Sequence, residues 1–342
     1  MTEYKISLMP GDGIGPELTD ATLKVLDAVQ QKFDIALKMI QAEAGDLVLE
    51  KRGVALPADS LQIIKESQAC LKGPVGETAA DVIVRLRQLF DLYANIRPLK
   101  AYPNISVANP NINMVFVREN TEDVYAGQEF TIDNNTTLCL RVITRKNCER
   151  IAKKAFETAR FRNNKKKVTA IHKANVMRIT DGLFRTVCQE TAKQYPDIQY
   201  NEMYVDAASM NLIRKPDDFD VLCTCNLFGD ILSDEAAQLI GGLGMAPGAN
   251  IGENFALFEP IHGSAPDIAG KHVANPLSMI LSSKMMLEWL GERYSDSKCL
   301  MAATAIETAA VKTLATGNTV PDLGGKTTTI GMAEAIAKAI TT

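Results

Sequence analysis

The sequence lacks the features that mark membrane proteins and nucleic-acid-binding proteins. No apolar run reaches the roughly 20 residues that a membrane-spanning helix needs, and residues 1–6 lack the basic and apolar regions of a secretory signal. Lys and Arg number 37 against 41 Asp and Glu, a net charge of −4, so no basic excess is available to bind a polyanion. The one basic run, 165–167, is short and has no aromatic neighbours. We therefore expect a cytoplasmic protein that binds neither membranes nor nucleic acid.

A disulfide framework is also absent from the pattern. The seven cysteines are an odd number without regular spacing, which is typical of reduced thiols. Cys223 and Cys225 alternate within an apolar run, which favours strand residues over metal ligands. The 342 residues are 46% hydrophobic, enough for about two domains. No Pro/Gly/Ser-rich linker separates them, so two domains should share one sheet or a tight cleft.

Short apolar runs alternate with amphipathic stretches, which is the pattern of an α/β protein. Residues 4–9 predict a strand and residues 16–33 a helix. Further strands are predicted at 69–72, 114–118, 138–143, 167–172, 201–205 and 221–225. Further helices are predicted at 84–92, 148–160, 182–194, 233–240, 276–290 and 302–314.

The glycine-rich segment 11–17, between the first strand and the first helix, does not fit a Rossmann phosphate loop. That loop needs the spacing G-x-G-x-x-G, whereas Asp12, Pro16 and Glu17 place negative charge and a proline where a pyrophosphate would lie. The segment predicts a tight turn at the floor of a cleft.

Three aspartates are candidate metal ligands. Asp230 and Asp234 lie four residues apart near the start of a predicted helix, so their carboxylates face the same side. Asp206 follows another predicted strand. Hard oxygen ligands of this kind suit Mg²⁺ or Mn²⁺. The alternative for the helix pair is a solvated acidic first turn favoured by the helix dipole.

Three arginines, Arg87, Arg97 and Arg118, are candidate ligands for a substrate with several carboxylates. Planar guanidinium groups bind carboxylates in bidentate fashion, so convergence of the three would suit a di- or tricarboxylate. Each one alone is typical of a surface ion pair.

A tyrosine and a lysine are candidates for proton transfer. Tyr125 lies seven residues after Arg118, and Lys173 follows the strand predicted at 167–172. A lysine beside a cation can act as a general base, and a tyrosine hydroxyl can deliver a proton to a carbanion. A surface lysine and a tyrosine at the edge of a core are the ordinary alternatives.

Two glycine-rich segments, 241–247 and 259–270, permit close approach of a ligand to the backbone. The second contains His262, which can stack on a ring, and Asp267, which can accept hydrogen bonds from ribose hydroxyls and repel a 2′-phosphate. Either segment by itself could be an irregular surface loop.

Taken in order, these motifs resemble the family of β-decarboxylating dehydrogenases that act on isopropylmalate, isocitrate and homoisocitrate. The resemblance runs from Gly11 to about Gly324 and is closest to the archaeal type of 3-isopropylmalate dehydrogenase. It covers segments 10–17, 91–98, 118–125, 172–176, 226–234 and 259–276.

The resemblance implies a two-domain α/β fold that is not a Rossmann fold, with one mixed sheet spanning both domains. One domain would be built from residues 1–98 and 240–342, and a central domain, 99–239, would carry the metal ligands and the dimer interface. The implied assembly is a homodimer, possibly a tetramer, whose sites are completed across the interface.

The resemblance also implies residue roles. Arg87, Arg97 and Arg118 would hold the malate carboxylates. Asp230 and Asp234 would hold the metal with Asp206 of the partner subunit, and Tyr125 with Lys173 of the partner subunit would be the acid and base. The implied NAD⁺ site comprises Asn175 near the nicotinamide and Glu259, His262, Gly263, Ser264, Ala265, Asp267, Ile268 and Asn275.

Two pairs of residues bear on the choice of cofactor and of substrate. Asp267 and Ile268 match positions where NADP-using members carry Lys and Tyr, so an acidic residue there favours NAD⁺. Ile83 and Val84 lie one turn before Arg87, as expected for an isopropyl group, and the Ser-x-Asn pair of isocitrate-specific members is replaced by Asp81 and Ile83.

We therefore expect metal-dependent oxidative decarboxylation of 3-isopropylmalate, a step of leucine biosynthesis. Arg85 could turn toward a distal carboxylate, which keeps homoisocitrate, and more distantly isocitrate, as alternatives within the family. A non-catalytic regulatory subunit is an alternative of another class. It is disfavoured because all the acid, base and metal positions are occupied by suitable residues.

Overall fold

A computed structural model describes residues 3–342, and a ten-stranded sheet forms the centre of this part of the chain. Its strands are β1 (Glu3–Met9), β2 (Ala36–Gln41), β3 (Ala69–Lys72), β4 (Ala94–Lys100), β5 (Asn113–Glu119), β8 (Lys167–His172), β9 (Gln199–Tyr204), β10 (Val221–Thr224), β11 (Pro247–Ile251) and β12 (Ala256–Pro260). A separate two-stranded ribbon consists of β6 (Glu129–Asp133) and β7 (Thr136–Cys139).

The sheet is mixed, with the spatial order β2-β1-β3-β12-β11-β4-β5-β10-β8-β9. The pairs β12–β11, β11–β4 and β4–β5 are antiparallel, and the pairs toward both edges are parallel. This arrangement confirms the prediction of an α/β fold with one mixed sheet rather than a Rossmann sheet, which is mainly parallel.

Strands from the two ends of the sequence form one half of the sheet, and strands from its middle form the other half. β1, β2, β3, β11 and β12 lie on one side, β5, β8, β9 and β10 on the other, and β4 joins them by pairing with β11 and β5. The predicted boundary after residue 98 falls inside β4. The division into two domains at these boundaries stays a prediction.

Eleven α-helices are described within residues 3–342. They are α1 (Gly15–Phe33), α2 (Asp46–Arg52), α3 (Ala58–Glu66), α4 (Arg85–Leu89), α5 (Arg145–Arg162), α6 (Thr180–Ala192), α7 (Val205–Arg214), α8 (Asn226–Gln238), α9 (Leu277–Tyr294), α10 (Ser297–Ala315) and α11 (Thr329–Thr341). A π-helical turn, Ala80–Val84, leads directly into α4. Helices α1, α9, α10 and α11 pack against one another over the largest apolar core, and α5 and α6 cover a second core.

Most predicted elements are confirmed, two of them with the same limits: β3 and β8. The helix predicted at 233–240 begins seven residues earlier, at Asn226, because Cys225 is extended and the chain turns directly out of β10. The strand predicted at 138–143 is wrong beyond Cys139. Leu138 and Cys139 belong to the exposed ribbon, whereas Ile143, beyond the end of the ribbon, packs against the second core.

The segment 11–17 forms a tight turn with positive φ at Gly11 and Gly13. A Cβ at Gly11 would lie 1.9 Å from the carbonyl oxygen of Pro74, so only glycine fits there. The Asp12 carboxylate accepts hydrogen bonds from the backbone N–H groups of Asp46 at 2.9 Å and Gly76 at 3.1 Å. The Asp12 carboxylate therefore ties this turn to the start of α2 and to the loop at Gly76, as expected for a structural turn rather than a phosphate loop.

The cysteines and the helices are as the sequence pattern predicts. Cys223 and Cys225 are buried in the second core, and the seven cysteines are free thiols. Among the helices of residues 3–342, none combines the length and the apolarity required to cross a bilayer. The cytoplasmic location stays a prediction.

Candidate active site

Helix α8 brings Asp230 and Asp234 to the middle of β4 and the end of β5, where two of the three arginines lie. Arg97 on β4 contacts Asp230 and Asp234, each at 3.2 Å, and Arg118 on β5 contacts Asp230 at 2.5 Å. Gly229 permits this approach, because a Cβ at that position would lie 2.6 Å from Cγ of Arg118. The two aspartates and two arginines thus form one cluster, with the aspartates inside α8 rather than at its first turn.

The guanidinium groups are buried and held from behind. Arg118 is 0% exposed, and its guanidinium donates to the side-chain and backbone oxygens of Asn226. Burial and the neighbouring Arg97 lower the pKa of Arg118 to about 9. Burial opposes ionisation of Asp230, but Arg118 and Arg97 outweigh it and hold the pKa of this carboxyl at about 2. Asp230 is therefore an anion at neutral pH.

Tyr125 joins the same cluster from a short helical turn, Val124–Ala126. Its hydroxyl donates a hydrogen bond to the Asp230 carboxylate, and the Arg118 guanidinium lies 5.2 Å from the ring centroid. Burial raises the pKa of Tyr125, so the hydroxyl keeps its proton. A protonated tyrosine is thus available as a proton donor beside the candidate metal ligands.

The third arginine, Arg87 on α4, is positioned by a buried network that the sequence did not predict. Arg87 contacts Glu259 at 3.1 Å and donates to Asn250 at 3.0 Å. The fully buried Lys72 contacts the other oxygen of Glu259 at 2.8 Å. Burial acts to raise the pKa of Glu259, but the positive charges of Lys72 and Arg87 outweigh burial and hold this pKa at about 2. The feature of the sequence that marks this network is Lys72, a lysine at the end of the apolar run 69–72.

A cavity of about 650 Å³ lies in front of this cluster. Arg87, Arg97, Tyr125 and Asp230 line one part of it. Its other wall comes from the helical segment that contains the π turn, at positions 79, 80, 83, 84, 87 and 88. One turn of a π-helix contains more residues than the 3.6 of an α-helical turn. Residues four apart in this segment therefore stay on the same face of the helix. Ile83 and Val84 therefore lie on the same wall as Arg87, as predicted.

A second cavity, of about 350 Å³, shares His262 and Gly263 with the first. Ala265, Ile268 and Asn275 line it together with both of these residues. Burial lowers the pKa of His262, so its ring is neutral and can stack on a flat base. The two connected cavities provide a small apolar pocket next to a charged one.

The other predicted cofactor residues are placed less uniformly. Asp267 is exposed beside Ile268, and the carbonyl of Ser264 accepts from the N–H of Ile14 at 2.9 Å. Glu259 lines the larger cavity rather than the smaller one, because its carboxylate is engaged by Lys72 and Arg87. Asn175 is exposed in the segment after β8 and is not part of the wall of the larger cavity.

Lys173 and Asp206 form a separate pair. Nζ of Lys173 lies 2.5 Å from Oδ1 of Asp206, and neither residue lines the cavity that contains Asp230. Within residues 3–342 no three His, Cys, Asp or Glu side chains of a single chain converge as a metal site. One chain therefore brings together two of the three predicted metal ligands, and leaves the third with the predicted base.

Comparison with known proteins assigns the chain to a family. The family model described as "Isocitrate/isopropylmalate dehydrogenase" matches residues 5–339. The chain belongs to the isocitrate/isopropylmalate dehydrogenase family. It is 51% identical over 333 residues to the 3-isopropylmalate dehydrogenase of Archaeoglobus fulgidus, covering 97% of this chain and 98% of that one. It is 50% identical over 340 residues to the 3-isopropylmalate/3-methylmalate dehydrogenase of Methanocaldococcus jannaschii, covering 98% and 99%.

The fold of this dehydrogenase is also that of solved members. The crystal structure of isocitrate dehydrogenase from Methylococcus capsulatus superposes with a TM-score of 0.93 at 44% identity, covering 99% of this chain and 100% of that one. Identity at this level over the whole length confirms the predicted family and the predicted fold.

Proposed function

We propose that this dehydrogenase catalyses the metal-dependent oxidative decarboxylation of 3-isopropylmalate with NAD⁺, giving the 2-keto acid for leucine biosynthesis. The observation that carries the proposal is the composition of the larger cavity. Arg87, Arg97, Asp230 and Tyr125 line it opposite the apolar side chains of Ile83 and Val84. The buried Arg118 contacts Asp230, and Asp234 contacts Arg97. A malate with a branched alkyl group matches both sides, since each buried methyl group contributes about 0.8 kcal/mol.

The divalent metal, Mg²⁺ or Mn²⁺, fits the donor set of α8. Asp230 and Asp234 present hard carboxylate oxygens one helical turn apart, their side chains are 35% and 48% exposed, and Asp230 lines the cavity. When bound, the metal would supply positive charge for the 2-hydroxyl oxygen and the adjacent carboxylate. In the absence of the metal, Arg97 and Arg118 balance the two aspartates.

We propose a homodimer whose sites are shared, because Lys173, the proposed base, does not line the cavity of its own chain. Exposed apolar side chains surround both halves of the site: Val176 and Ile179 follow Lys173, and Ile231 lies beside Asp230. Such a patch marks a protein–protein interface. A second copy that covers these faces would bring Lys173 and Asp206 of the partner subunit to Asp230 and Asp234. A further pairing of dimers into a tetramer is compatible with this arrangement.

The proposed chemistry assigns one proton transfer to a residue of each subunit. Lys173 of the partner subunit takes the proton of the 2-hydroxyl group while the hydride leaves C2 for NAD⁺. The three arginines hold the malate carboxylates and fix C2 against the cofactor pocket. After the β-carboxylate leaves as CO₂, Tyr125 donates its proton to the carbon. The retained proton on Tyr125 and the anionic Asp230 fit these roles.

The preference for NAD⁺ is proposed to rest on Asp267 and Ile268, next to the smaller cavity. The variant Asp267→Lys with Ile268→Tyr should raise the NADP⁺ to NAD⁺ ratio of kcat/KM at least tenfold, since one new charge-assisted hydrogen bond contributes about 1.5–3 kcal/mol. Steady-state rates with both cofactors measure this ratio. Asp20→Lys, an equal charge change on an exposed face of α1, is the control. An unchanged ratio would show that these positions do not decide the cofactor.

Substrate choice within the family is proposed from the same wall. Arg85 and Asp81 are exposed and do not line the cavity, whereas Ile83 and Val84 do. A third carboxylate, as in isocitrate or homoisocitrate, would face these two apolar side chains without a partner. That geometry favours the isopropyl group over both alternatives. A regulatory subunit without activity is disfavoured, because Tyr125, Lys173, Asp206, Asp230 and Asp234 are all present.

A substrate panel tests this choice. With Mn²⁺ and NAD⁺, kcat/KM for 3-isopropylmalate should exceed that for isocitrate and homoisocitrate about a hundredfold, since an unpaired buried polar group costs about 1–3 kcal/mol beyond the lost methyl contacts. The value for 3-methylmalate should stay within about tenfold, because apolar pockets discriminate weakly. Ile83→Ser should reduce the rate with 3-isopropylmalate more than that with 3-methylmalate. Isocitrate or homoisocitrate ahead in the panel would contradict the proposed substrate and leave the family assignment intact.

A further inference from the structure

A buried ion triad lies beneath the active site. Arg141, which follows the β6–β7 ribbon, contacts Asp123 and Asp181, each at 2.6 Å. Both carboxylates are 0% exposed, and the Arg141 side chain is 13% exposed. Its guanidinium also lies 4.5 Å from the ring centroid of Phe228. None of the proposed chemical roles uses these three charged residues.

Asp123 connects the triad to the turn that carries Tyr125. Its carboxylate accepts the N–H of Val124 at 2.9 Å and the N–H of Leu227 at 3.1 Å. Asp123 itself has a φ of 73°, in the left-handed region that side chains other than glycine rarely adopt. The turn with Tyr125 and the first turn of α8 are thus fixed through one carboxylate, and the Arg141 guanidinium holds that carboxylate.

Asp181 connects the triad to Lys173. It lies in the first turn of α6 and accepts the backbone N–H of Lys173 at 2.5 Å. The backbone at Lys173 is therefore held by the carboxylate that binds the other side of Arg141. Two candidate proton-transfer residues, far apart in sequence, are linked by a single guanidinium.

We propose that Arg141 is a positioning residue that serves two active sites at once. Through Asp123 it fixes Tyr125 in the site of its own chain, and through Asp181 it fixes Lys173, which acts in the site of the other chain. The inference rests on the shared sites of the proposed function. A guanidinium suits this position because its planar fork donates to two carboxylates in fixed directions, which a lysine ammonium does not.

Hybrid dimers separate the two halves of this role. One chain carries Lys173→Met and the other carries Tyr125→Phe, with different affinity tags. In the mixed dimer one site has Tyr125 from the first chain and Lys173 from the second, and the other site has neither. Arg141→Lys placed in the first chain then acts on the working site only through Asp123, which fixes Tyr125 and the first turn of α8. The same substitution placed in the second chain acts only through Lys173.

Each placement should lower kcat of the hybrid about tenfold or more, since displacement of a reacting group by about 1 Å can cost a hundredfold, and should change KM little. The deuterium isotope effect on kcat with substrate labelled at C2 should move in opposite directions. It should rise when Arg141→Lys weakens the Lys173 half, because hydride transfer becomes slower. It should fall toward unity when the substitution weakens the Tyr125 half, because the later protonation becomes slower.

A second pair of variants guards against simple unfolding. Asp181→Asn should cost more activity in the chain that supplies Lys173 than in the chain that supplies Tyr125, and Asp123→Asn should show the reverse order. Arg160→Lys, which changes an exposed Arg–Asp pair of 2.5 Å on α5, is the control and should leave kcat unchanged in either placement.

The outcomes are distinguishable. Equal losses in both placements with the same direction of isotope effect, or no loss in either, would overturn the positioning role while the shared site stands. An inactive parental hybrid, without any change in the triad, would overturn the shared site of the proposed function and this inference with it.

Discussion

Lys173→Met is expected to lower kcat by about a hundredfold to ten-thousandfold, the range for loss of a positioned general base. Substrate affinity, measured by calorimetry with the inactive variant and Mn²⁺, should change little, because the three arginines and the α8 aspartates remain. The variant should also fold normally. Lys173 is paired with an Asp206 side chain that is 66% exposed in the single chain, so its removal leaves no charge without a partner inside the chain's own core.

A matched control for this result is Lys193→Met, at the exposed end of α6. It removes the same charge from the same region, and the rate should be unchanged. Full turnover by Lys173→Met would remove this lysine from the role of base.

Asp230→Asn is the second change for which we expect a large effect. The Asp230 carboxylate is the one group contacted by Arg97, Arg118 and Tyr125 together. Its loss should weaken Mn²⁺ binding and lower kcat/KM about a thousandfold, because metal stabilisation of developing charge contributes several kcal/mol and each 1.36 kcal/mol corresponds to a factor of ten. Metal titrations followed by electron paramagnetic resonance, with and without substrate, measure the binding directly.

The neighbouring carboxylates of α8 provide the comparison. Asp234→Asn should have a smaller effect on the metal, since Asp234 contacts only Arg97 and its side chain is more exposed. Glu235→Gln removes a carboxylate that faces Ser209 on α7, and should leave metal affinity unchanged. Equal metal binding by Asp230→Asn and the unsubstituted enzyme would show that the ion lies elsewhere.

The apolar pattern of the sequence was sufficient to predict strands that are buried along nearly their whole length. β3 and β8 are short and entirely or almost entirely buried, so their apolar runs mark both of their ends. The pattern failed for the strand predicted at 138–143, because an exposed apolar residue such as Leu138 cannot be told from a core residue by its type. It also misplaced the start of α8, where the polar residues Asn226 and Asp230 both contact Arg118.

The residues that form the charged cluster could be predicted, but not all the contacts that they make. Arg97, Arg118, Asp230 and Asp234 do converge, as the family resemblance implied. Glu259, predicted for the NAD⁺ site, instead contacts Lys72 and Arg87, which lie 187 and 172 residues away in the sequence. Contacts over such separations depend on how β3, β12 and α4 pack, and neither residue spacing nor charge pattern contains that information.

The π turn at Ala80–Val84 gives the substrate wall an unusual sensitivity to chain length. A π turn holds one residue more than regular α-helical geometry would accommodate, so deletion of a single residue in this segment would restore the regular spiral. The residues before the deletion would then rotate relative to Arg87 by about 100°, the angle between successive residues of an α-helix. Ile83 or its neighbours would leave the wall as a group, which no single side-chain replacement achieves. Insertions and deletions, as well as substitutions, are therefore a route by which enzymes built on this scaffold can exchange one organic acid for another.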